Sequence, residues 1–565
     1  MDATAVASSE KNILLGLSLA GEMTSCELYS HALTFAAPRT GKGACQIIPT
    51  LRDYWRGNVI CVDPKGEAVT ESAKHREEMG DRVVCIDPVP DPDSGAYCSP
   101  DRYRVRFNPL DLVRERGAGY RDLMALADGL VLSGDYRGDS FFDDASRTII
   151  AGALAYIQET APPEDRHLGS LRRVLRDMND PGERKNLFAV MKGCSKYGEL
   201  AREAVSYMER EGGKSDSIFT TAAKEVNWLA DEDMVDALSA SDFDMNDLRR
   251  EKLSMFLVLP PDALEIHGRF LRLFVRCALA VMKRGQVDQG ESTNRSCLFV
   301  LDEFAKLGRI DVIAEDAGVM PGYGVFLWPI VHGIGQLERV YGRENAETFQ
   351  GSATVVTAFG LGSDDRTAEM VSKKCGIFTS ADFEKDWMRL ARRLEFHQKV
   401  KDSETEEGWI QTDPYAHEKV RRQGGLFRMF DEPISDDYAT KMEMDALRAR
   451  IGRARFPADE VKKMTARDPK TKVAKRMFAF RDGDFEVLIP SPYFNPAKRS
   501  LDDVMAFVDS KTRIIEPYEA DAFRRPQLYA LKRAALKNIW NVIIVAVLVV
   551  MAILGLILQS LGITN

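Results

Sequence analysis

The amino-acid sequence predicts an α/β domain in which a mostly parallel sheet is covered by helices on both faces. Short apolar runs recur along the chain, separated by helical stretches. Runs that are apolar at every position are typical of strands buried on both faces, and their alternation with helices predicts three layers. The predicted strands are ALTFAA (32–37), NVICVD (58–63), RVVCID (82–87), MFLVLP (255–260), CLFVLD (297–302), GVFLWPIV (324–331) and TVVTAFG (354–360).

The predicted strands fall into two blocks separated by a helical stretch. Between 112 and 250, stretches such as RTIIAGALAYIQ (147–158) and LFAVMKG (187–193) look helical and convincing strands are missing. This predicts an all-α domain inserted between 1–111 and 251–500. After Thr379 the chain becomes polar, and 403–415 is predicted to be an exposed loop. A hairpin is predicted at 477–490, where two apolar runs flank the tight-turn signal Asp482-Gly483.

The C-terminal segment has the composition of a membrane span. About 20 residues, Ile539–Leu558, carry no charge, which is enough to cross a bilayer core at a rise of about 1.5 Å per residue. We therefore predict a linker over 501–537 and a transmembrane helix over 538–560. Basic residues before the helix predict that the large domain lies in the cytoplasm. The alternative is a buried core helix, although core helices usually keep a polar face.

Composition excludes some classes of protein and limits others. The formal net charge of −9 does not indicate a nucleic-acid partner, so any DNA contact must rest on a local patch or a channel lining. The nine cysteines include no Cys-x-x-Cys pair and the seven histidines no His-Glu-x-x-His pattern. We interpret the cysteines as free thiols in a reducing compartment and predict no zinc site.

A phosphate-binding loop is predicted where the first strand meets a helix, in ALTFAAPRTGKGACQIIPTL (32–51). Backbone N–H groups at a helix N-terminus and one lysine bind phosphate. The predicted phosphate-binding residues are Pro38, Arg39, Thr40, Gly41, Lys42, Gly43 and Ala44. The loop departs from the usual pattern, since Ala36 stands at the first glycine and Gly43 replaces the hydroxyl residue that ligates Mg²⁺. Alone, the motif is also compatible with a glycine-rich turn that carries a solvated lysine.

Two carboxylates at the end of a later strand complete a predicted ATPase site. In SCLFVLDEF (296–304), Asp302 is the candidate ligand of Mg²⁺ and Glu303 the candidate general base that polarises the attacking water. Side chains alternate along a strand, but at its end two neighbours can reach one ligand. Gln336, after the next strand, is a candidate sensor of the γ-phosphate, although it could equally be an amide at a helix start.

The chain resembles the coupling-protein ATPases of type IV secretion and conjugation, the TraG/TraD-like group. The resemblance runs over roughly residues 15–500. Its motifs, in order, are HALTFAAPRTGKGACQIIPTL, VDPKGE (62–67), FNPLD (107–111), SDFDMNDLRREKLSMFLVLPPD (241–262), LFVLDEFAKLGRI (298–310), GQLERVYGRENAETFQGSA (335–353), TAEMVSKKCG (367–376) and FEVLIPSPYF (485–494). Lys42, Asp302, Glu303 and Gln336 stand on the family's motif positions, and glycine after the loop lysine is common in the family.

The resemblance implies a RecA-like P-loop motor domain with an inserted all-α domain, and an active homo-hexamer that uses ATP and Mg²⁺. It also implies that DNA, relaxase or effector proteins are passed to a type IV secretion channel at the inner membrane. A ring motor needs an arginine from the neighbouring subunit, and Arg366 in GSDDRTAE is a candidate. Arg172, Arg173 and Arg176 of the insertion either contact substrate or form a solvated helix face.

The order of the membrane and motor segments differs from the family pattern. Members usually carry transmembrane helices ahead of the motor, often with a small periplasmic domain, whereas this chain begins almost at the motor. We therefore expect the periplasmic domain to be absent and the channel to be contacted through the tail helix or the cytosolic surface. Two other functions stay open. One is a coupling ATPase for protein effectors without DNA translocation, and the other is a tail-anchored scaffold with little turnover, against which Glu303 argues.

Overall fold

The computed structural model describes residues 10–18, 22–89, 100–115, 118–131, 140–209, 214–284, 287–288, 291–292, 294–378, 453–469 and 471–490. Nearly all of them belong to one compact unit, made of Met1–Gly376 and Ala454–Arg499, and a second unit comprises Ile377–Arg453 and Ser500–Asn565. The predicted loop 403–415, linker 501–537 and transmembrane helix 538–560 lie outside the described residues. Within the described ranges, no helix combines the length and apolar character that crossing a bilayer requires.

The strands occur where the apolar runs predict them. The described strands are β1 (Asn12–Leu17), β2 (Met23–Glu27), β3 (His31–Ala36), β4 (Asn58–Asp63), β5 (Arg82–Ile86), β6 (Leu253–Val258), β7 (Val287–Asp288), β8 (Glu291–Ser292), β9 (Cys297–Leu301), β10 (Val325–Val331), β11 (Ala353–Phe359), β12 (Met477–Arg481) and β13 (Asp484–Leu488). Each of the predicted strands is confirmed to within two residues. The antiparallel pair of β1 and β2 was not predicted.

Nine of the described strands form one sheet in the order β13-β12-β11-β3-β10-β9-β4-β6-β5. All neighbours from β11 to β5 are parallel, and β12 and β13 continue the sheet as an antiparallel hairpin. The hairpin turns at Asp482 and Gly483, which both have positive φ (52° and 77°), as the tight two-residue turn requires. The predicted α/β class, the mostly parallel sheet and the hairpin are therefore confirmed.

The helices fill the connections between the parallel strands. The α-helices of the described residues are α1 (Glu67–Glu78), α2 (Gly119–Leu130), α3 (Ser140–Thr160), α4 (Gly169–Asn179), α5 (Pro181–Gly193), α6 (Gly198–Glu209), α7 (Lys214–Glu225), α8 (Glu232–Ala237), α9 (Asp247–Arg250), α10 (Pro261–Met282), α11 (Asp311–Asp316), α12 (Ile334–Tyr341), α13 (Arg343–Ser352), α14 (Asp365–Cys375) and α15 (Ala458–Thr465). The helix that follows β3 has two π-helical turns, Gly43–Ile47 and Thr50–Tyr54, and is called the phosphate-loop helix below.

The two faces of the sheet bury two separate hydrophobic cores. In β9, Phe299 and Leu301 join a core with α2, α3 and α10, whereas Leu298 and Val300 join a core with the phosphate-loop helix and α1. This division follows from the alternation of side chains along a strand. The cysteines that the structure describes are buried, and none of them forms a disulfide with another described cysteine. The sheet thus has the predicted helical layer on each face.

Between 112 and 250 the described residues form helices from α2 to α9, joined by turns and short loops, and include no strand. Its buried side chains belong to the same hydrophobic core as α10 and one face of the sheet. The helical content agrees with the sequence pattern. Because the core is shared, the definition of this segment as a separate inserted domain stays a prediction.

Arg76, near the end of α1, is fully buried and joins α1 to the phosphate-loop helix. Its guanidinium donates to the carbonyl oxygens of Leu51 (3.3 Å), Trp55 (2.6 Å) and Gly57 (2.5 Å), and also to the carboxylate of Asp81 (2.8 Å). A buried guanidinium is tolerated only where its donors are paired. Arg76 therefore fixes the C-terminal end of the phosphate-loop helix against α1.

A candidate nucleotide site at the carboxyl ends of the strands

The loop between β3 and the phosphate-loop helix has the backbone that a phosphate cradle needs. Arg39 and Gly41 have positive φ (59° and 100°), a conformation that L side chains rarely adopt. A Cβ at Gly41 would stand 2.8 Å from Cγ1 of Val473 and 3.0 Å from Sγ of Cys45, so both conformation and space require glycine here. The loop leads into the N-terminus of a helix, whose free N–H groups and dipole favour an anion.

Two neighbouring segments hold this loop in place. The hydroxyl of Thr40 donates to the carbonyl oxygen of Ala37 (2.6 Å), and the N–H of Ala474 donates to the carbonyl oxygen of Thr40 (2.9 Å). Gly360, after β11, lies so close that a Cβ there would be 2.5 Å from Cγ2 of Thr40. These contacts therefore fix the conformation of the phosphate loop. The contribution of residues 473 and 474 could not be predicted from the sequence, because they are distant along the chain.

Lys42 contacts both predicted carboxylates. Its Nζ lies 2.7 Å from Oδ1 of Asp302 and 2.8 Å from Oε1 of Glu303, and the three side chains are between 15% and 19% exposed. Glu303, two residues after the end of β9, has a left-handed φ of 55°, and its N–H donates to Oδ1 of Asp302 (3.0 Å). This turn interrupts the alternation of the strand, so that consecutive side chains reach the same lysine. The structure thus brings together the three residues predicted to form the centre of the site.

The charges of Lys42, Asp302 and Glu303 stabilise one another. Burial by itself lowers the pKa of Lys42, but the charges of Asp302 and Glu303 outweigh it, and the pKa is raised. Burial would raise the pKa of Glu303, but the hydrogen bond from His332 and the charge of Lys42 lower it to about 2. Glu303 is therefore a carboxylate, and Lys42 an ammonium ion, across the physiological pH range.

His332 and Gln336 orient Glu303. The backbone N–H of His332 donates to Oε1 of Gln336 (2.9 Å), which places the Gln336 amide nitrogen 3.2 Å from Nδ1 of His332. Because Nδ1 accepts that hydrogen bond, Nε2 carries the ring proton and donates it to Oε1 of Glu303 (3.1 Å). Gln336 therefore reaches the site through His332 rather than directly.

His332 has a position set by the strand order. It follows β10, which lies between β3 and β9 in the sheet, so the end of β10 comes between the phosphate loop and the carboxylates. The sequence pattern indicated Gln336 as a candidate, but His332 was not predicted. The signal that could have identified His332 is a histidine directly after an apolar strand. Strand order depends on contacts between distant segments and could not be deduced from the local pattern.

Arg366 is an exposed residue that contacts α12. It is in the first turn of α14, its side chain is 65% exposed, and it forms an ion pair with Glu338 of α12. A Cβ at Gly335 would stand 3.5 Å from its guanidinium, which places it beside the first turn of α12. Exposure is compatible with a contact to another subunit, and the role predicted for Arg366 stays a prediction.

Asp63, at the end of β4, is a buried carboxylate that sequence reasoning left without a role. Strands β4 and β9 are neighbours, so Asp63 lies beside Asp302 at the same edge of the sheet. Oδ2 of Asp63 accepts the N–H of Val69 in α1 (2.9 Å). Burial, together with the charges of Asp302 and Glu67, raises the pKa of Asp63 to about 7, despite the hydrogen bonds from the first turn of α1.

We expect Asp63 to make folding stability depend on pH. Its pKa rises from an ordinary value of 3.8 to about 7 on folding, so its contribution to stability is full below pH 3.8 and is lost as the pH rises towards 7. Asp63→Asn keeps an acceptor for Val69 and cannot ionise. The unfolding free energy of Asp63→Asn, relative to that of the natural protein, should therefore be larger at pH 8 than at pH 5. Urea unfolding at both pH values measures this difference.

Asp101→Asn is the matched control for this comparison, since the carboxylate of Asp101 is 92% exposed. The unfolding free energy of Asp101→Asn should differ from that of the natural protein by the same amount at pH 5 and at pH 8. A gain for Asp63→Asn that is equal at pH 5 and pH 8 would contradict the raised pKa and leave only a packing effect.

The carboxylates at this edge of the sheet suit a metal ion that binds together with a phosphate ligand. In the part of the chain that the structure describes, no group of three or more His, Cys, Asp or Glu side chains is arranged to hold a metal. Mg²⁺ usually takes one or two carboxylates and completes its shell with phosphate oxygens and water. The carboxylate of Asp302, next to the phosphate loop, suits that mode of binding.

Comparison with known proteins places these residues in a family context. Residues 7–387 match the family model described as Type IV secretory system Conjugative DNA transfer. Protein VirD4 of Agrobacterium fabrum is 29% identical over 355 residues, which cover 62% of this chain and 50% of that protein. Conjugal transfer protein TraG of the same organism is 26% identical over 360 residues, covering 62% and 51%. The chain thus spans about half the length of these relatives.

Similar solved structures include two of the conjugative coupling protein TrwB. The form TrwBdeltaN70 in complex with sulphate has a TM-score of 0.47 and 15% sequence identity, and the match covers 60% of this chain and 73% of that chain. TrwB in complex with ADP and Mg²⁺ has a TM-score of 0.46 at 15% identity, with the same coverage. At these values the likeness is distant.

Proposed function

Because the chain belongs to the type IV secretory system conjugative DNA transfer family, we propose that it is an ATP-hydrolysing coupling protein. It recruits DNA or nucleoprotein substrates and delivers them to a type IV secretion channel. The observation that carries the ATPase part of this proposal is the convergence of Lys42, Asp302 and Glu303, with Nζ of Lys42 within 2.8 Å of both carboxylates. A cation beside a phosphate loop and two carboxylates are the groups that phosphoryl transfer to water requires.

In the proposed mechanism, the loop Pro38–Gly41 and the first N–H groups of the phosphate-loop helix bind the phosphates of ATP. Lys42 leaves its carboxylates and donates to the β and γ oxygens. Asp302, freed from Lys42, would be the side chain that holds Mg²⁺. When bound, Mg²⁺ supplies positive charge that offsets the negative charge on the phosphate oxygens.

Glu303 becomes a better base as Lys42 moves. Its pKa of about 2 depends on two neighbours, His332 and Lys42, and the proposed contact of Lys42 with phosphate removes one of them. His332 continues to hold the carboxylate through its Nε2–H (3.1 Å). Glu303 then orients the attacking water and accepts its proton. We propose that Gln336, bonded to His332, transmits a change at the γ-phosphate to His332 and Glu303.

The assembly and location are part of the same proposal. We propose a homo-hexamer as the active form, with Arg366 offered from a neighbouring subunit to the γ-phosphate, and with relaxase or effector proteins among the substrates. We also propose that the apolar segment at 538–560 anchors the chain in the inner membrane with the motor in the cytoplasm. DNA would be held by backbone phosphates without sequence readout.

A coupling ATPase for protein effectors alone is the second candidate function. The observation that favours it is the formal net charge of −9, because DNA-binding proteins are usually basic over at least one surface. Both candidates use the same nucleotide site. They differ in whether DNA changes the rate of turnover.

The deciding measurement is steady-state ATP hydrolysis by the full chain with and without single-stranded and double-stranded DNA. We expect DNA to stimulate turnover and the stimulation to fade as salt rises from about 50 to 200 mM, because phosphate contacts release counterions. The Lys42→Ala variant measures any contaminating activity. Hydrolysis that DNA leaves unchanged at low salt would contradict the DNA-translocating function and favour the effector function. Absence of hydrolysis above the Lys42→Ala background would contradict both.

A further inference from the structure

Position 43 lacks the hydroxyl that normally ligates Mg²⁺ after the loop lysine, and the structure shows what faces it. A Cβ built on Gly43 would meet one atom within 4 Å, outside its own helix, among the residues that the structure describes. That atom is Oε2 of Glu67, at 3.8 Å. The space where a serine or threonine side chain would stand is therefore open, and a carboxylate oxygen borders it.

Glu67 is the first residue of α1, and its backbone is fixed on both sides. Gly66, with φ of 64°, turns the chain into α1, and Oδ2 of Asp63 accepts the N–H of Val69 in the first turn. At its other end α1 is joined to the phosphate-loop helix by Arg76. The distance between Glu67 and Gly43 is thus set by two anchored helices.

The carboxylate of Glu67 is half-buried and available for a ligand. Within the described ranges it makes no hydrogen bond or ion pair with another residue. Asp63 lies beside Asp302 because β4 and β9 are neighbours, and its Oδ2 accepts the N–H of Val69, two residues after Glu67. Glu67 and Asp302 therefore approach the same region from α1 and from β9, with the phosphate loop beside them.

We propose that Glu67 takes the place of the missing hydroxyl at position 43 and binds, directly or through a water molecule, the Mg²⁺ that accompanies the nucleotide. The inference rests on the proposed function, since it concerns the metal of that site. Mg²⁺ commonly uses one or two carboxylates with phosphate oxygens and water. Asp302 and Glu67 supply the two, and Gly43 leaves room for the longer side chain to enter from α1.

The test compares Glu67→Gln, Gly43→Ser and the double variant by metal affinity. The dissociation constant of Mg²⁺ is measured by titration at saturating fluorescent non-hydrolysable ATP analogue, and nucleotide affinity is measured separately in EDTA. Glu67→Gln should weaken Mg²⁺ binding about 10–100-fold, as loss of a group that supports a metal site typically does. Nucleotide affinity in EDTA should not fall, because the phosphate loop is unchanged.

Gly43→Ser supplies the rescue. A serine Cβ meets only an ordinary van der Waals contact at this position, so its hydroxyl should restore most of the Mg²⁺ affinity in the Glu67→Gln background. Glu78→Gln, at an exposed position on the same helix (60% exposed), should leave Mg²⁺ affinity unchanged.

Three results would overturn the inference. One is Mg²⁺ affinity in Glu67→Gln equal to that of the natural protein. Another is an equal loss of nucleotide affinity with and without metal, which would indicate a structural role for Glu67. The third is absence of nucleotide binding by the natural protein, which would also overturn the proposed function. The first two leave that function standing, so the two failures are distinguishable.

Discussion

Replacing Glu303 with glutamine is expected to lower the rate of ATP hydrolysis about 10²–10⁴-fold, the usual contribution of a general base, while ATP still binds. Glutamine has nearly the same shape but cannot accept the proton of the attacking water. ATP binding should survive, because the carboxylate of Glu303, 2.8 Å from Nζ of Lys42, competes with the ATP phosphates for this lysine. A neutral glutamine competes less. Single-turnover hydrolysis and binding of a fluorescent ATP analogue would be measured on the same preparation.

Glu344→Gln is the matched control for Glu303→Gln. Glu344 lies in α13 with an exposed side chain, and this variant should hydrolyse ATP at the natural rate. Turnover unchanged in Glu303→Gln would show that another group activates the water. Loss of binding together with turnover would instead make Glu303 part of the binding site.

Replacing Lys42 with alanine is expected to have a large effect both on binding and on the empty protein. A hydrogen bond to a charged group contributes about 1.5–3 kcal/mol, so we expect ATP affinity to fall about 10–100-fold for each lost contact with a phosphate oxygen. Without ATP, the loss of Lys42 leaves Asp302 and Glu303, each less than 20% exposed, without their cation. Unfolding free energy should therefore fall by about 1–3 kcal/mol, less than for a fully buried pair.

Two variants separate these effects of Lys42→Ala. Adding Glu303→Gln to it removes one of the two uncompensated charges and should recover part of the lost stability without recovering ATP affinity. Lys74→Ala, at a lysine that is 78% exposed, should change neither property. Binding would be followed by calorimetry and stability by urea unfolding. A fully stable Lys42→Ala protein would show that the two carboxylates tolerate each other without the ammonium group.

Much of the sheet and the centre of the site could be predicted because both depend on local patterns. A strand buried on both faces must be apolar at every position, and such runs located the seven predicted strands. The phosphate loop and the Asp302-Glu303 pair are short motifs, each at a strand end. The carboxyl ends of parallel strands share one edge of a sheet, so the motifs were expected to meet there.

The residues that sequence reasoning missed depend on contacts across the fold. The roles of His332 and Asp63 follow from the positions of β10 and β4 beside β9. No local sequence pattern determines this order of strands. The left-handed turn at Glu303, which points it to Lys42, occurs at a non-glycine residue and gives no sequence signal. The hairpin of β1 and β2 was missed because β2 is short, with largely exposed or half-buried residues, and lacks the continuous apolar run used to find strands.

The buried guanidinium of Arg76 constrains how this molecule can move during a catalytic cycle. It bonds the last turn of the phosphate-loop helix to α1, while the first turn of α1 is anchored on Asp63 at the edge of the sheet. These elements must travel as one rigid body, since separating them would leave a charged group buried without partners. A hinge that opens or closes around ATP is therefore expected outside residues 51–81, in connections that Arg76 does not hold.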